Sequence, residues 1–256
     1  MSFAENQSDL SEEFAGQANQ RGELPRHGFQ GNRAPPQGPT GIPASVTIAV
    51  SREAGSRGNT IGNRAGLKLG WPVYNQELLQ YVAQEGAPRH SPCESLDSAT
   101  SEWVEGRLQQ LLRDSNLAQQ PNLVAVARLV LSLAAEGGVV LIGRGAGFLL
   151  PPESTLHIRV VAPLSDRIAY MSQWLRLTRE QAAEQVRLRD EHRAEFLWNQ
   201  FRRKSDEIHQ YDLLLNSSLL GEDVCADLIV RAARAKIEAR GRHTQSPPFL
   251  VPEPID

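Results

Sequence analysis

The sequence has almost no lysine. Lys68, Lys204 and Lys236 are its only three, so 24 of the 27 basic residues are arginine. A biased genomic base composition would give that pattern, and so would a need for arginine's planar fork, which suits phosphate recognition. Cysteine is nearly missing too. Cys93 and Cys225 are too few for a disulfide framework or a cysteine metal cluster. No apolar run is long enough to be a comfortable membrane span, because residues 123–150 are interrupted by Arg128, Glu136 and Arg144. The N-terminus shows no positive region followed by an apolar stretch, so no secretory signal is expected. A strong basic excess is also absent: the net charge is −3 and the pI about 6.1, against general nucleic-acid binding. The expectation is a cytoplasmic protein in a reducing compartment, with neither nucleic acid nor membrane as partner.

What is present suits a soluble domain, with 40% hydrophobic and 22% charged residues. Residues 1–43 are rich in Gly, Pro, Gln, Asn and Ser, too polar to offset their ordering entropy, and are expected to be a disordered tail. Residues 242–256 are proline-rich and read as a second tail. Between them, over 44–241, strand and helix signals alternate. SVTIAV reads as a strand, Thr60 to Gly70 as a helix, NQELLQYVAQ as a helix, and HSPCESLDSATS as a loop. Glu102 to Asp114 and Asn122 to Glu136 carry apolar residues at helical spacing, the second stopped by Gly137-Gly138. VVLI and LHIRVVA read as strands. Pro163 suits the first helical position of the next helix, and Thr178 with Gln181 forms a capping box for a long helix towards Phe201. YDLLLN is a last strand, and Glu222 to Arg240 a closing helix ended by Gly241. This alternation predicts one α/β domain, a parallel sheet covered on both faces.

The stretch VTIAVSREAGSRGNTIG resembles a strand running into a phosphate-binding loop. In the G-x-x-x-x-G-K-[ST] pattern, backbone amides wrap the phosphates, the lysine reaches the outer phosphates and the hydroxyl helps hold magnesium. Here Gly58 stands at the lysine, Arg57 at the preceding glycine, and Thr60 keeps a hydroxyl. Spacing alone leaves a plain strand-to-helix turn as the other reading. GRGAG at 143–147 lacks full dinucleotide-loop spacing, and His90, His157, His192 and His209 show no metal spacing.

Three further blocks add to the loop. VVLIGRGAGFLLPPESTLHIRVVAPLSDRIAYM resembles a cytidylate kinase stretch: Gly143-Arg144 match its Gly-Arg, Gly145 replaces the following aspartate, and Asp166-Arg167 match a pair in the next helix. RLRDEHRAEF resembles the lid pattern Arg-Asp-x-x-Arg through Arg189, Asp190 and Arg193. YDLLLNSSLL resembles the last strand, ending at Asn216-Ser217-Ser218. All four occur in the family's order over about 45–240. The chain is thus similar to the cytidylate-kinase-like branch of the P-loop nucleoside monophosphate kinases. There the loop commonly reads S-R-x-x-G-S-G-G-R-x-I-G. Ser51, Arg52, Gly55, Ser56, Gly58, Ile61 and Gly62 agree with it, whereas Arg57 and Asn59 depart.

The resemblance implies a three-layer P-loop kinase-like fold with a helical lid, and transfer of the ATP γ-phosphoryl to CMP or dCMP with Mg2+. It implies that Gly55, Ser56, Arg57, Gly58, Asn59 and Thr60 cradle the donor phosphates, with Arg57 in place of the lysine. Arg144, Asp190 and Arg193 would bind the acceptor, and Arg187 and Arg189 would stabilise charge from the lid. On residue pattern alone, the lid arginines could instead pair with Glu184, Asp190 and Glu195 along an exposed helix. The missing lysine leaves two other functions open: a nucleotide-binding pseudokinase, or a regulatory protein using the scaffold and its tail. Magnesium ligands, base preference and protein partners are not legible.

Overall fold

A computed structural model describes residues 46–85 and 96–243. The predicted tails (243 and earlier helical residues aside), His90 and Cys93 lie outside the described residues. Five strands form one sheet: β1 (Thr47–Arg52), β2 (Val73–Tyr74), β3 (Val139–Ile142), β4 (Thr155–Val161) and β5 (Leu213–Asn216). Their order is β2-β3-β1-β4-β5, and every pair is parallel. Parallel neighbours need crossovers, which the helices provide. These are α1 (Gly58–Leu69), α2 (Gln76–Glu85), α3 (Ser98–Asp114), α4 (Pro121–Glu136), α5 (Ala146–Leu149), α6 (Leu164–Leu175), α7 (Arg179–Phe201), α8 (Ser217–Leu220) and α9 (Glu222–His243).

Side chains along a strand alternate between faces, and that alternation divides the core in two. Ala49, Val139 and Leu141 join residues of α3 and α4, such as Leu108 and Val130, on one face. Ile48, Val50, Val140, Ile142, Ile158 and Val160 join Ile61 of α1 and Ile229 of α9 on the other. A strand buried on both faces reads as an unbroken apolar run, as TIAV and VVLI do. A third, smaller cluster of Ala54, Met171, Ala182 and Val186 ties the loop after β1 to α6 and α7. The fold is three-layered α/β, as expected.

Several boundaries differ from the sequence reading. The third helix starts at Ser98, four residues early, because Asp97 caps it by accepting from the Thr100 amide at 2.8 Å. Pro163 is the cap residue preceding α6 rather than its first helical residue; its ψ of 141° is extended. Gly241 does not stop α9, which continues to His243. The two-residue strand β2 carried no sequence signal, being too short for a period to register. The capping box of Thr178 and Gln181 is formed, with both reciprocal hydrogen bonds present.

Candidate functional site

The carboxyl ends of β1, β3 and β4 meet at one edge of the sheet, where ligands bind in this architecture. The loop from Glu53 to Arg57 leaves β1 there and turns into α1. Its turn needs two left-handed residues, Gly55 at φ 78° and Arg57 at φ 60°. Gly55 is required twice over, since a Cβ would lie 2.6 Å from the Arg167 carbonyl oxygen. Arg57 carries the left-handed conformation without glycine's freedom, a local strain of about 1 kcal/mol. Among the described residues no side chain caps α1, and no acidic residue sits in its first turn. The first amides of α1 are therefore left for an anion, with the positive end of the helix dipole behind them.

The Arg57 side chain is engaged on two sides. Its guanidinium lies over the Tyr170 ring, 5.0 Å from the centroid, and 3.7 Å from Glu222. The expected substitution of Arg57 for the lysine thus meets a side chain engaged by α6 and α9. Ser56 is buried and donates to the Glu53 carbonyl, while Asn59 is exposed.

A different arginine fills the space beside the loop. Arg52, the last residue of β1, runs past Gly58: a Cβ there would lie 2.6 Å from Arg52 Cβ and 3.2 Å from its Cγ. At the far end, a Cβ on Gly143 would land on Arg52 Nη1. The two glycines form a slot through which this side chain passes. Its pKa is depressed to about 10, first by burial and then by the charges of Arg193 and Arg144, with Glu77 opposing. It stays protonated at neutral pH.

Arg144 follows β3 at φ 53°, a left-handed arginine. Its Cζ lies over Phe196, 5.7 Å from the ring centroid, and its buried Nε has no hydrogen-bond partner among the described residues. Burial lowers its pKa, as it does for Arg189 and Arg193 of α7. Glu77, at the start of α2, counters the depression in all four arginines. Arg193 reaches Asp190 at 3.3 Å, but Arg52, Arg144 and Arg189 make no ion pair among the described residues. Four guanidiniums thus share few carboxylates. Unpaired buried charge is unfavourable, and an incoming anion would relieve it.

The three lid arginines separate. Arg187 is exposed and bonded on both sides, to Glu184 at 2.6 Å and Glu191 at 2.7 Å, which raise its pKa. It lies on the solvent face, while Arg189 and Arg193 lie on the inner one. Asp190 is occupied structurally: Oδ1 accepts from the Ala54 amide at 2.7 Å and Oδ2 from Arg167 at 2.6 Å. Arg167 also donates to the Ala54 and Ala162 carbonyls. Glu53 accepts from the Ala162 amide at 3.2 Å and faces Arg159 and Arg167. The helical lid is therefore latched onto the loop. Gly145, where the resemblance leads one to expect aspartate, is filled from outside, since a Cβ would lie 2.5 Å from the Phe201 ring.

Sequence reasoning missed Arg52 and Glu77 as members of this group. The Ser-Arg pair after a buried strand was visible, yet the direction of its side chain was not. His157 is buried, hydrogen-bonded to Ser51 at 3.0 Å, and is structural.

The profile of the cytidylate kinase-like family matches residues 47–219. A Corynebacterium glutamicum protein named uronate isomerase is 29% identical over 147 residues, 55% of this chain and 28% of that protein. The match thus spans little more than a quarter of that relative's length. Among solved structures, an uncharacterized protein from Eubacterium ventriosum superposes with a TM-score of 0.53 at 16% identity, over 75% of this chain and 99% of that one; the likeness is one of fold. Shikimate kinase from Bacteroides thetaiotaomicron aligns at a TM-score of 0.42 and 13% identity, over 75% and 98%.

Proposed function

Because the chain belongs to the cytidylate kinase-like family, we propose that it is a nucleotide kinase, and more narrowly that it moves the ATP γ-phosphoryl to the phosphate of CMP or dCMP. The observation that carries this reading is the set of arginines 52, 144, 189 and 193, gathered with few carboxylates beside an uncapped helix N-terminus. Phosphoryl transfer asks little covalent help from a protein; positioning and charge neutralisation carry it.

In this reading the amides at the start of α1 hold the donor phosphates. Arg144, Arg189 and Arg193 hold the acceptor phosphate, and α7, latched through Asp190, keeps water out. Arg187 has no part, being paired on the outer face. Asp190 acts on the loop rather than on the nucleotide.

The family implies magnesium. Among the described residues no three His, Cys, Asp or Glu side chains gather to hold a metal ion. The Thr60 hydroxyl on the first turn of α1 fits as a single protein ligand, whereas Glu53 is committed to Ala162, Arg159 and Arg167. That suits magnesium, which keeps water and substrate phosphates as most of its ligands. When bound it would neutralise phosphate charge.

The engagement of Arg57 by Tyr170 and Glu222 favours a second reading, a nucleotide binder without turnover. Purified protein assayed for Mg·ATP-dependent conversion of CMP, dCMP, UMP and AMP separates the two. Formation of CDP or dCDP supports the kinase. A nucleotide-induced rise in melting temperature without product supports the binder. The isomerase named above is not carried over, given how little of it the match spans. No described helix is long and apolar enough to cross a membrane.

A further inference from the structure

We infer that Arg52 takes the place and the task of the lysine that the phosphate loop lacks, contacting the transferred phosphoryl from the end of β1. This rests on the kinase reading. The first observation is steric. A lysine at position 58 must start with a Cβ, and the three atoms nearest that Cβ are the Cβ, Cγ and Cδ of Arg52, at 2.6, 3.2 and 3.3 Å. Gly58 itself has no positive φ, so its backbone would accept a side chain. The Arg52 stem occupies the volume in which that side chain would begin.

The second observation is where the charge ends up. The stem lies against the first residue of α1, on the donor side. The head lies against Gly143, next to the residue from which Arg144 projects. Arg52 thus spans from the donor loop to the acceptor arginines, the interval in which a phosphoryl group travels. The third is the lack of a competing role: Arg52 forms no ion pair among the described residues, and its close charged neighbours are mostly other cations. A buried cation held among cations contributes little to folding unless an anion joins it.

In the transfer, an acceptor phosphate oxygen forms the bond to the γ-phosphorus as the bond to the β,γ-bridging oxygen breaks, and ADP leaves with that electron pair. Arg52 stays protonated and donates hydrogen bonds to the equatorial oxygens, where charge spreads in the transition state. Arg57, turned to Tyr170 and Glu222, has no part in this step.

The test uses the full chain with Mg·ATP and CMP or dCMP. Arg52→Met keeps the bulk in the slot and removes the charge. It is expected to lower kcat at least about 100-fold, leave both KM values within about threefold, and leave the melting temperature unchanged or raised. Arg52→Lys restores charge and is expected to recover a good part of kcat, which a packing role would not require. The exchange Arg52→Gly with Gly58→Lys moves the cation to the usual position and is expected to restore kcat at least tenfold over Arg52→Gly alone. Wild-type turnover with kcat preserved in Arg52→Met overturns the role of Arg52 and leaves the kinase standing. Folded wild type that turns over no acceptor overturns the kinase reading, and Arg52's role with it. Should Arg52→Met fail to fold, judged by circular dichroism, the exchanged protein decides: recovery over Arg52→Gly supports the role, and no recovery overturns it.

Discussion

Asp190 and Ala54, 136 residues apart, are joined by a hydrogen bond of 2.7 Å from the Ala54 amide to the carboxylate, whose other oxygen accepts from Arg167. One side chain thus closes the lid helix on the phosphate loop and neutralises a buried guanidinium. Asp190→Ala leaves the Ala54 amide unmet and takes from Arg167 the nearer of its two carboxylates, Glu53 remaining at 3.4 Å. The expected loss is about 2–3 kcal/mol of stability, read by urea unfolding, with earlier proteolytic cleavage in α7. A loss below about 0.5 kcal/mol would mean the latch is not needed.

Arg187 and Arg193 lie on one helix and should behave oppositely. Arg187→Ala removes an exposed pair network and is expected to change kcat/KM less than twofold, since such pairs contribute little. Arg193→Ala and Arg144→Ala should raise the acceptor KM about 10- to 100-fold, because each removes a charge-assisted contact to phosphate. Steady-state kinetics with varied CMP separates the two outcomes.

His157 gives the fold a pH limit. Burial depresses its pKa to about 4, against the opposing effects of a backbone hydrogen bond to Gln210 and the Asp212 carboxylate; Arg159 and Lys236 add to the depression. The unfolded chain protonates near pH 6.5, so between about 6.5 and 4 it binds the extra proton. Stability therefore falls as pH is lowered through that window, by on the order of 3 kcal/mol for this residue. Thermal melts from pH 7.5 to 4.5 should show the decline, and His157→Gln should flatten it.

Gly143→Ala tests the slot. A methyl group would meet Arg52 Nη1 at a backbone φ of 87°, so both strain and overlap oppose it. The expectation is a loss of about 1–3 kcal/mol, with kcat reduced because Arg52 is displaced. Gly70→Ala is the control: it too has a positive φ, with nothing within 4 Å of a Cβ, and should lose stability without loss of kcat.

The layers of this fold were legible because TIAV, VVLI and the amphipathic helices record burial residue by residue. The capping box was legible because its chemistry is local. The site was only partly so. Arg144 could be found from its position after a buried strand. Arg52 could not be assigned, since its partners Gly58 and Gly143 are brought together by the sheet and a glycine records only room left for something else. Arg187 and Arg189, two residues apart on the lid helix, look alike in sequence, which cannot tell the inner face from the outer without knowing what α7 packs on. Arg57 drew attention as the nearest cation to the missing lysine, but proximity in sequence does not fix the direction of a side chain.

The slot between Gly58 and Gly143 also constrains how such a chain could change over generations. A lysine appearing at position 58 collides with Arg52, and a small residue appearing at 52 leaves a hole with no cation beside the loop. Either step alone passes through a damaged protein, so the two phosphate-binding solutions are separated by a fitness valley. Searching for the conventional loop lysine would pass over chains on this side of it.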